Sequence, residues 1–280
     1  MLIISVLAIM IILSVFLAIS TLWVRISTVK IKCNTESDFK IIQLTDIHGR
    51  VSFLNGSLSH MVNRLNPDCV VITGDLATRR RQFSKVLMEI NSIQCSHIYF
   101  VPGNYERECM AGIRKRQLTE IEYYEIINAL QQINVEVLVN EGRQLDNGNR
   151  KIIIYGFDNS IYGNEQLTMH EEDYSSTDEM ILLAHSPSII KYIQKNGLSF
   201  DLLLTGHTHG GQIRVFNKTI GAYKNYHVGL KRISEHENVG GRSAGKGYFY
   251  INRGLGTVKL PFRIGCMPEI AVFEFSSNNK

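Results

Sequence analysis

Along the chain the hydrophobic positions fall into one long run and a series of short ones. Residues 2–24 carry no charged side chain and are dominated by Leu, Ile, Val, Met and Phe, a run long enough at ~20 residues to cross a bilayer as a helix. Trp23 stands at its end, where an amphipathic aromatic suits the membrane interface. A buried core helix or a cleaved signal peptide would fit the same run. A signal peptide wants a basic n-region and a shorter apolar core, so the flanks favour a retained anchor. From residue 39 onward the apolar runs shrink to the length of buried strands, over 39–44, 69–73, 97–101, 180–184 and 202–205. Between them lie stretches with helical spacing: 54–65 up to Asn66-Pro67, 83–90, 121–133, and 186–196 up to Gly197. Strand, helix, strand in that order predicts parallel pairs buried on both faces. The stripe Ile126, Ile127, Leu130 and Ile133 is then core rather than a ligand groove. Further strands are expected over 135–139, 151–156, 212–216, 248–252 and 269–275.

The short runs share the way they stop. The first ends in Thr45-Asp46-Ile47-His48, the second in Gly74-Asp75, the third in Pro102-Gly103-Asn104-Tyr105-Glu106. The fourth ends in His185-Ser186-Pro187 and the fifth in Gly206-His207-Thr208-His209-Gly210-Gly211. An isolated His-x-His is more often a polar turn with two solvated imidazoles. Five buried strands that each close on Asp, Asn or His load one rim of a sheet with oxygen and nitrogen ligands, which suits borderline transition metals. Glycines on both sides of the double histidine let the backbone approach an ion or a phosphate.

The ordered set Asp-x-His, Gly-Asp, Gly-Asn-x-Glu, His, Gly-His-x-His resembles the calcineurin-like metallophosphoesterases from about Phe39 to the C-terminus. The resemblance implies an α/β fold, a four-layer α-β-β-α sandwich, with its site along the C-terminal ends of the central strands. It also implies two divalent ions (Mn, Fe or Zn), with Asp46, His48, Asp75 and His209 on one and Asp75, Asn104, His185 and His207 on the other. Asp75 would bridge, since two cations close together need a shared carboxylate to offset their repulsion. Asn104, Tyr105 and His185 are the expected catalytic residues. Two positions depart from the family pattern: Tyr105 stands where a histidine usually follows the motif asparagine, and Thr78 where an acid is usual. A phenol is a slow proton source beside imidazolium, so leaving-group help is in doubt while metal binding is not. The terminal segment Arg253-Gly254-Leu255-Gly256, Pro261-Phe262-Arg263, Pro268-Glu269 resembles a narrower bacterial branch that includes enzymes similar to UDP-2,3-diacylglucosamine hydrolases.

Charge refines this picture. Arg25, Lys30, Lys32 and Lys40 all follow the long apolar run, which by the positive-inside tendency places the catalytic domain in the cytoplasm. Residues 1–25 are then an anchor, 26–38 a linker or edge strand, and 39–280 the phosphoesterase domain. Arg79-Arg80-Arg81 and the polar insert around Arg107, Arg114, Lys115 and Arg116 read either as solvated faces or as captors of anionic groups. Arg79, Arg114 and Arg253 are the candidate substrate contacts, with Arg263 a further one. Asp158 reads as a turn cap, or as a group just behind the ligands. His227 and His236 are expected to be solvated. The 280 residues are 44% hydrophobic and 20% charged, ordinary for a globular domain once the anchor is set aside. Five scattered cysteines (Cys33, Cys69, Cys95, Cys109, Cys266) are no disulfide framework, and Cys69 and Cys266 read as core packing. A formal charge of +4 is too small to argue for nucleic acid but suits an anionic membrane surface. The function expected is hydrolysis of a phosphoester or of a lipid-linked pyrophosphate. The rivals are a metal-holding scaffold without turnover and, more weakly, a nuclease.

Overall fold

The computed structural model describes residues 1–33, 38–147, 150–158, 160–170, 177–233 and 247–277. The long apolar run is a helix, α1 (Leu2–Leu22), exposed along most of its length and long and apolar enough to cross a membrane. Only Ser20 and Thr21 are buried, because the last turn docks on the domain. The Arg263 amide donates to Thr21 Oγ1 (2.9 Å), the Leu54 amide to the Leu22 carbonyl (2.8 Å), and Val24 exchanges two bonds with the Asn55 side chain.

The chain continues through β1 (Arg25–Cys33), β2 (Phe39–Leu44), the small hairpin β3–β4 (Ser52–Phe53, Gly56–Ser57), α2 (Leu58–Asn63), β5 (Cys69–Ile72) and α3 (Arg80–Asn91). Next come β6 (Ile98–Phe100), the hairpin β7–β8 (Glu108–Ala111, Arg114–Gln117), α4 (Glu120–Gln132) and β9 (Glu136–Val137). The second half adds β10 (Glu141–Asn147), β11 (Arg150–Gly156), β12 (Glu179–Leu183), α5 (Ile189–Asn196) and β13 (Leu202–Thr205). It closes with the hairpin β14–β15 (Arg214–Val215, Lys218–Thr219), β16 (Gly229–Ile233), β17 (Gly247–Ile251) and β18 (Glu269–Ser277).

Two mixed six-stranded sheets result, ordered β1-β18-β2-β5-β6-β9 and β10-β11-β12-β13-β17-β16. Strands β2, β5, β6 and β9 run parallel, as do β11, β12, β13 and β17, while β10 and β16 close the second sheet antiparallel. Side chains alternate across each strand, and here both faces are apolar. Ile41, Cys69 and Val71 point between the sheets and meet Ile154, Leu183, Leu202 and Leu204. Their neighbours Ile42, Val70 and Ile72 point outward under α2, α3 and α4, against Leu58, Val86 and Leu130. On the far side Leu182, Leu203 and Phe249 pack under Ile189 and Ile193 of α5. This is the expected four-layer α-β-β-α order, and it gathers the C-terminal ends of β2, β5, β6, β12 and β13 at one rim.

Several elements differ from their sequence expectation. The stretch open between linker and edge strand forms β1, paired in parallel with β18 along its whole length. The helix expected over 54–65 is cut to Leu58–Asn63 because the β3–β4 hairpin takes its first residues. The polar insert after Asn104 is the β7–β8 hairpin, turning at Gly112 (φ 63°). The return strand expected over 212–216 shrinks to the two residues of β14. Gly197 caps α5 in the left-handed conformation, as its position predicts. His236 lies outside the described residues. Cys266 is buried, yet it sits against the loop that follows β13, its thiol 3.3 Å from the His209 carbonyl, rather than in apolar packing.

Candidate metal centre

At the rim the chain leaves β2, β5 and β13 through sharp backbone turns. Asp46, His48, Asp75, His207 and His209 all have left-handed φ between 48° and 66°. Such conformations cost of order 1–3 kcal/mol each and persist only where the surroundings impose them. Here the surroundings include glycines that admit close approach. A Cβ on Gly103 would meet Asp75 Oδ1, and one on Gly206 would meet the Thr45 hydroxyl and lie 2.5 Å from Asp46 Oδ2.

Two clusters of ligating side chains face each other across Asp75. In the first, Asp46, His48 and His209 are all buried. His48 Nε2 lies 3.1 Å from His209 Nε2, and His209 Nε2 lies 3.3 Å from Asp46 Oδ1. In the second, Asp75 and His185 are buried and His207 is partly open. His185 Nε2 lies 3.0 Å from His207 Nδ1 and 3.2 Å from Asn104 Oδ1. Asp75 Oδ2 sits between the clusters, 3.5 Å from His48 Nε2 and 3.4 Å from His185 Nε2, while its Oδ1 accepts from the Tyr105 amide.

The groups behind the ligands fix their orientation. The His185 Nδ1–H donates to the Thr73 carbonyl (2.7 Å), so Nε2 is the nitrogen turned to the cluster. Thr78, where the resemblance led one to expect an acid, shares a hydrogen bond with His48 Nδ1 (2.9 Å) and so holds that ring as a carboxylate would. Asn104 Nδ2 donates to Glu108 Oε1 (2.6 Å), which turns its carbonyl oxygen toward His185. Buried Glu106 accepts from the amides of Gly103, Asp75 and Leu76 and ties two of the motif loops together. Tyr223 places its hydroxyl 3.2 Å from His207 Nε2.

Burial dominates the proton affinities here. It drives His48 down to about 4 and His207 down to about 3. His209 falls well below the usual imidazole range through burial, with His48 and Arg263 adding to the effect. His185 goes the other way: burial disfavours its charge, but Asp75 outweighs burial and holds its proton up to about 10. Asp46 is raised to about 6 by burial, and Glu106 to about 7 by burial and then Asp75. The Tyr105 phenol is pushed up to about 12, by burial first and then by Asp75 and Glu108.

These residues fit metal ions. Asp46 Oδ1 is a buried carboxylate oxygen with no hydrogen-bond partner, an arrangement that costs several kcal/mol unless a cation meets it. Three imidazoles held neutral and two carboxylates are the donor set of borderline divalent ions.

The arginines fare differently from the ligands. Arg80, Arg107 and Arg116 are spent in ion pairs with Glu125, Asp158 and Glu122. Asp158 therefore pins the base of the β7–β8 hairpin. Arg79 is the N-cap residue before α3 and Arg114 is exposed on β8, whereas the next residue, Lys115, lies on the opposite face of that strand. The Lys115 ammonium pairs with Glu108 and stands 5.0 Å from the Tyr105 ring centroid, so it is the hairpin cation nearest the centre. Arg253 is held by buried Glu269 (2.7 Å). Arg263, read as a phosphate contact, is fully buried instead: its guanidinium donates to the carbonyls of Gly254, Gly256, His209 and Cys266. Glu106 belongs to the Gly-Asn-x-Glu motif and Lys115 to the basic insert, but the sequence assigns neither the role it has here; Glu108 and Tyr223 carry no signal in the sequence.

Comparison with known proteins agrees with this geometry. Residues 39–211 match the family model described as calcineurin-like phosphoesterase. An uncharacterized metallophosphoesterase of Campylobacter jejuni is 27% identical over 94% of this chain and 67% of its own length. An uncharacterized Bacillus subtilis protein is 30% identical over 82% of this chain and 78% of its own. A zebrafish transmembrane protein with metallophosphoesterase domain is 29% identical over 82% and 52%. The chain spans 62% of the length of two similar Helicobacter pylori proteins. Among solved structures, the Haemophilus influenzae NAD nucleotidase superposes with a TM-score of 0.50 at 13% identity, over 78% of this chain and 46% of that one, a likeness of fold alone.

Proposed function

The chain belongs to the calcineurin-like phosphoesterases, hydrolases of phosphoester bonds, and on that premise we propose a membrane-anchored enzyme that uses two divalent ions to hydrolyse a lipid-linked pyrophosphate or phosphodiester. The observation that carries this reading is the meeting of two ligand clusters at a single carboxylate oxygen of Asp75. Asp46, His48, Asp75 and His209 would hold one ion, and Asp75, Asn104, His185 and His207 the other; Mn, Fe and Zn all suit the set. When bound, the ions supply the charge that holds the phosphate and acidifies a water. The protein's own part is orientation: Thr73 and Thr78 set two imidazoles, and Glu108 sets the Asn104 amide. Tyr105, with a phenol at about 12, is a hydrogen-bond donor rather than a proton source near neutrality, which favours substrates with good leaving groups such as a pyrophosphate.

The anchor reading draws support from the docked end of α1, whose Thr21 and Leu22 bond to the domain, and from a relative described as a transmembrane protein. Arg25, Lys30, Lys32 and Lys40 after the span argue for a cytoplasmic domain. The lipid-linked substrate draws on the terminal Arg253-Gly254-Leu255-Gly256 segment and its likeness to enzymes similar to UDP-2,3-diacylglucosamine hydrolases. Tyr105 is the one observation on the side of a scaffold without turnover. Hydrolysis of bis(4-nitrophenyl) phosphate in Mn²⁺ tests both readings: release of nitrophenol that is lost in Asp75→Ala is expected, and no release with any divalent ion leaves the scaffold.

A further inference from the structure

We propose that hairpin β14–β15 and the 258–262 loop form a second contact with the bilayer that α1 enters, seating the metal centre at the depth of lipid headgroups. The proposal rests on α1 being a retained span. Its starting point is Phe216, 96% exposed at the tip of the hairpin and held at φ 47°. Two-residue hairpin turns with left-handed φ are normally filled by Gly, Asn or Asp, and an aromatic there is both conformationally costly and, here, exposed to solvent. Leu260 is exposed on the neighbouring loop (43%). Beside these tips stand exposed Lys218 and Lys259. Apolar tips flanked by lysines match the boundary between acyl chains and anionic headgroups.

Connectivity brings the tips to the right place. The Arg263 amide donates to Thr21 at the end of α1, and the very next residue, Ile264, bonds to the entering strand of the hairpin on either side of Ile213, donating to the Gln212 carbonyl and accepting from the Arg214 amide. The Gln212 side chain donates to the carbonyls of Leu260 and Phe262. Hairpin, loop and helix end thus form one hydrogen-bonded unit, and Phe216 lies two residues beyond Arg214. The same segment continues to Tyr223, whose hydroxyl touches His207 of the metal centre. The unit that carries Phe216 is thus tied at one end to the span and, through Tyr223, to His207 of the open cluster. The partner this surface fits is an anionic lipid surface; a second copy of the chain would have no reason to sit at the end of the span.

The test uses the full chain in phosphatidylcholine vesicles with and without phosphatidylglycerol. Trp23 is the chain's single tryptophan, so Trp23→Phe combined with Phe216→Trp reports on the tip alone. Blue-shifted emission, quenched about twofold or more by lipids brominated near the headgroup, is expected; emission of hydrated indole without quenching overturns the proposal. Phe216→Ser with Leu260→Ser should lower hydrolysis of vesicle-bound hexadecyl 4-nitrophenyl phosphate about tenfold and leave soluble bis(4-nitrophenyl) phosphate untouched, which also shows that the variant folds. Equal loss on both substrates, or on neither, overturns it as well. An alkaline carbonate wash separates the layers of the argument. Release of the wild type would sink the anchor reading and this proposal with it, whereas retention without quenching sinks this proposal only.

Discussion

The two halves of the metal centre are enclosed to different degrees. Asp46, His48 and His209 are buried on all sides, and behind His209 stands a fully buried guanidinium, Arg263, which cannot accept a proton and helps keep the imidazole neutral. Across Asp75, His185 is equally buried, but His207 is partly open and leans on Tyr223 from a surface segment. One half is built by the sheets and their connections, the other is completed by a loop. With ions bound, such a centre would separate two tasks, the closed half retaining its ion and the open half exchanging with solvent.

The comparison predicts a graded set of effects. The largest belongs to the residue common to both halves. Asp75→Asn should empty both clusters and lower kcat/KM on bis(4-nitrophenyl) phosphate ~10³-fold or more; metal analysis that finds both ions at unchanged affinity would refute the bridging role. Next come the single-cluster variants. His209→Ala should weaken one ion at least ~100-fold against a competing chelator and His207→Ala the other by less, since solvent can replace an open ligand more readily. Identical losses would erase the distinction between the halves.

Protons distinguish the halves further. In the metal-free protein His185 carries a proton up to about pH 10, whereas His48 and His207 are neutral above about 4 and 3. A cation entering the open half must expel that proton. Its affinity should therefore rise by up to about tenfold per pH unit from 7 toward 10 and then level, while the closed half, its histidines already neutral, should show little slope above pH 7. Calorimetric titration in buffers of different ionisation enthalpy reads the proton directly, and equal release from both halves contradicts the assignment. The smallest effect is expected of Tyr223→Phe, a loss of about tenfold in affinity for the open half alone; a change in the closed half instead would mean that Tyr223 acts through the fold.

Much of this was legible from residue order because a buried strand is an apolar run and its ligand is the polar residue that stops it. The ends at Asp46, Asp75, Asn104, His185 and His207 were read that way. Edge and surface strands leave no such trace: Glu141–Asn147 is polar and β7–β8 is exposed on most of its length, so the apolar pattern marks neither as a strand. Contacts between distant residues are likewise hidden. Nothing in the order of residues joins Thr78 to His48, or tells the buried Arg263 from a surface arginine that meets phosphate, because charge is visible in a sequence and enclosure is not. Arg114 and Lys115 were separated only by the two-residue alternation of a strand that had not been recognised.

The stitched end of α1 also bears on how the enzyme is handled. A soluble fragment that begins after residue 24 would lose the Thr21 hydroxyl and the Leu22 carbonyl, leaving the amides of Arg263 and Leu54 without the acceptors they have here. Each lost bond costs about 0.5–1.5 kcal/mol net, and the Arg263 amide belongs to the residue that backs His209. Such a fragment would be easier to purify and a poorer metal binder, and weak activity measured on it would describe the truncation rather than the enzyme.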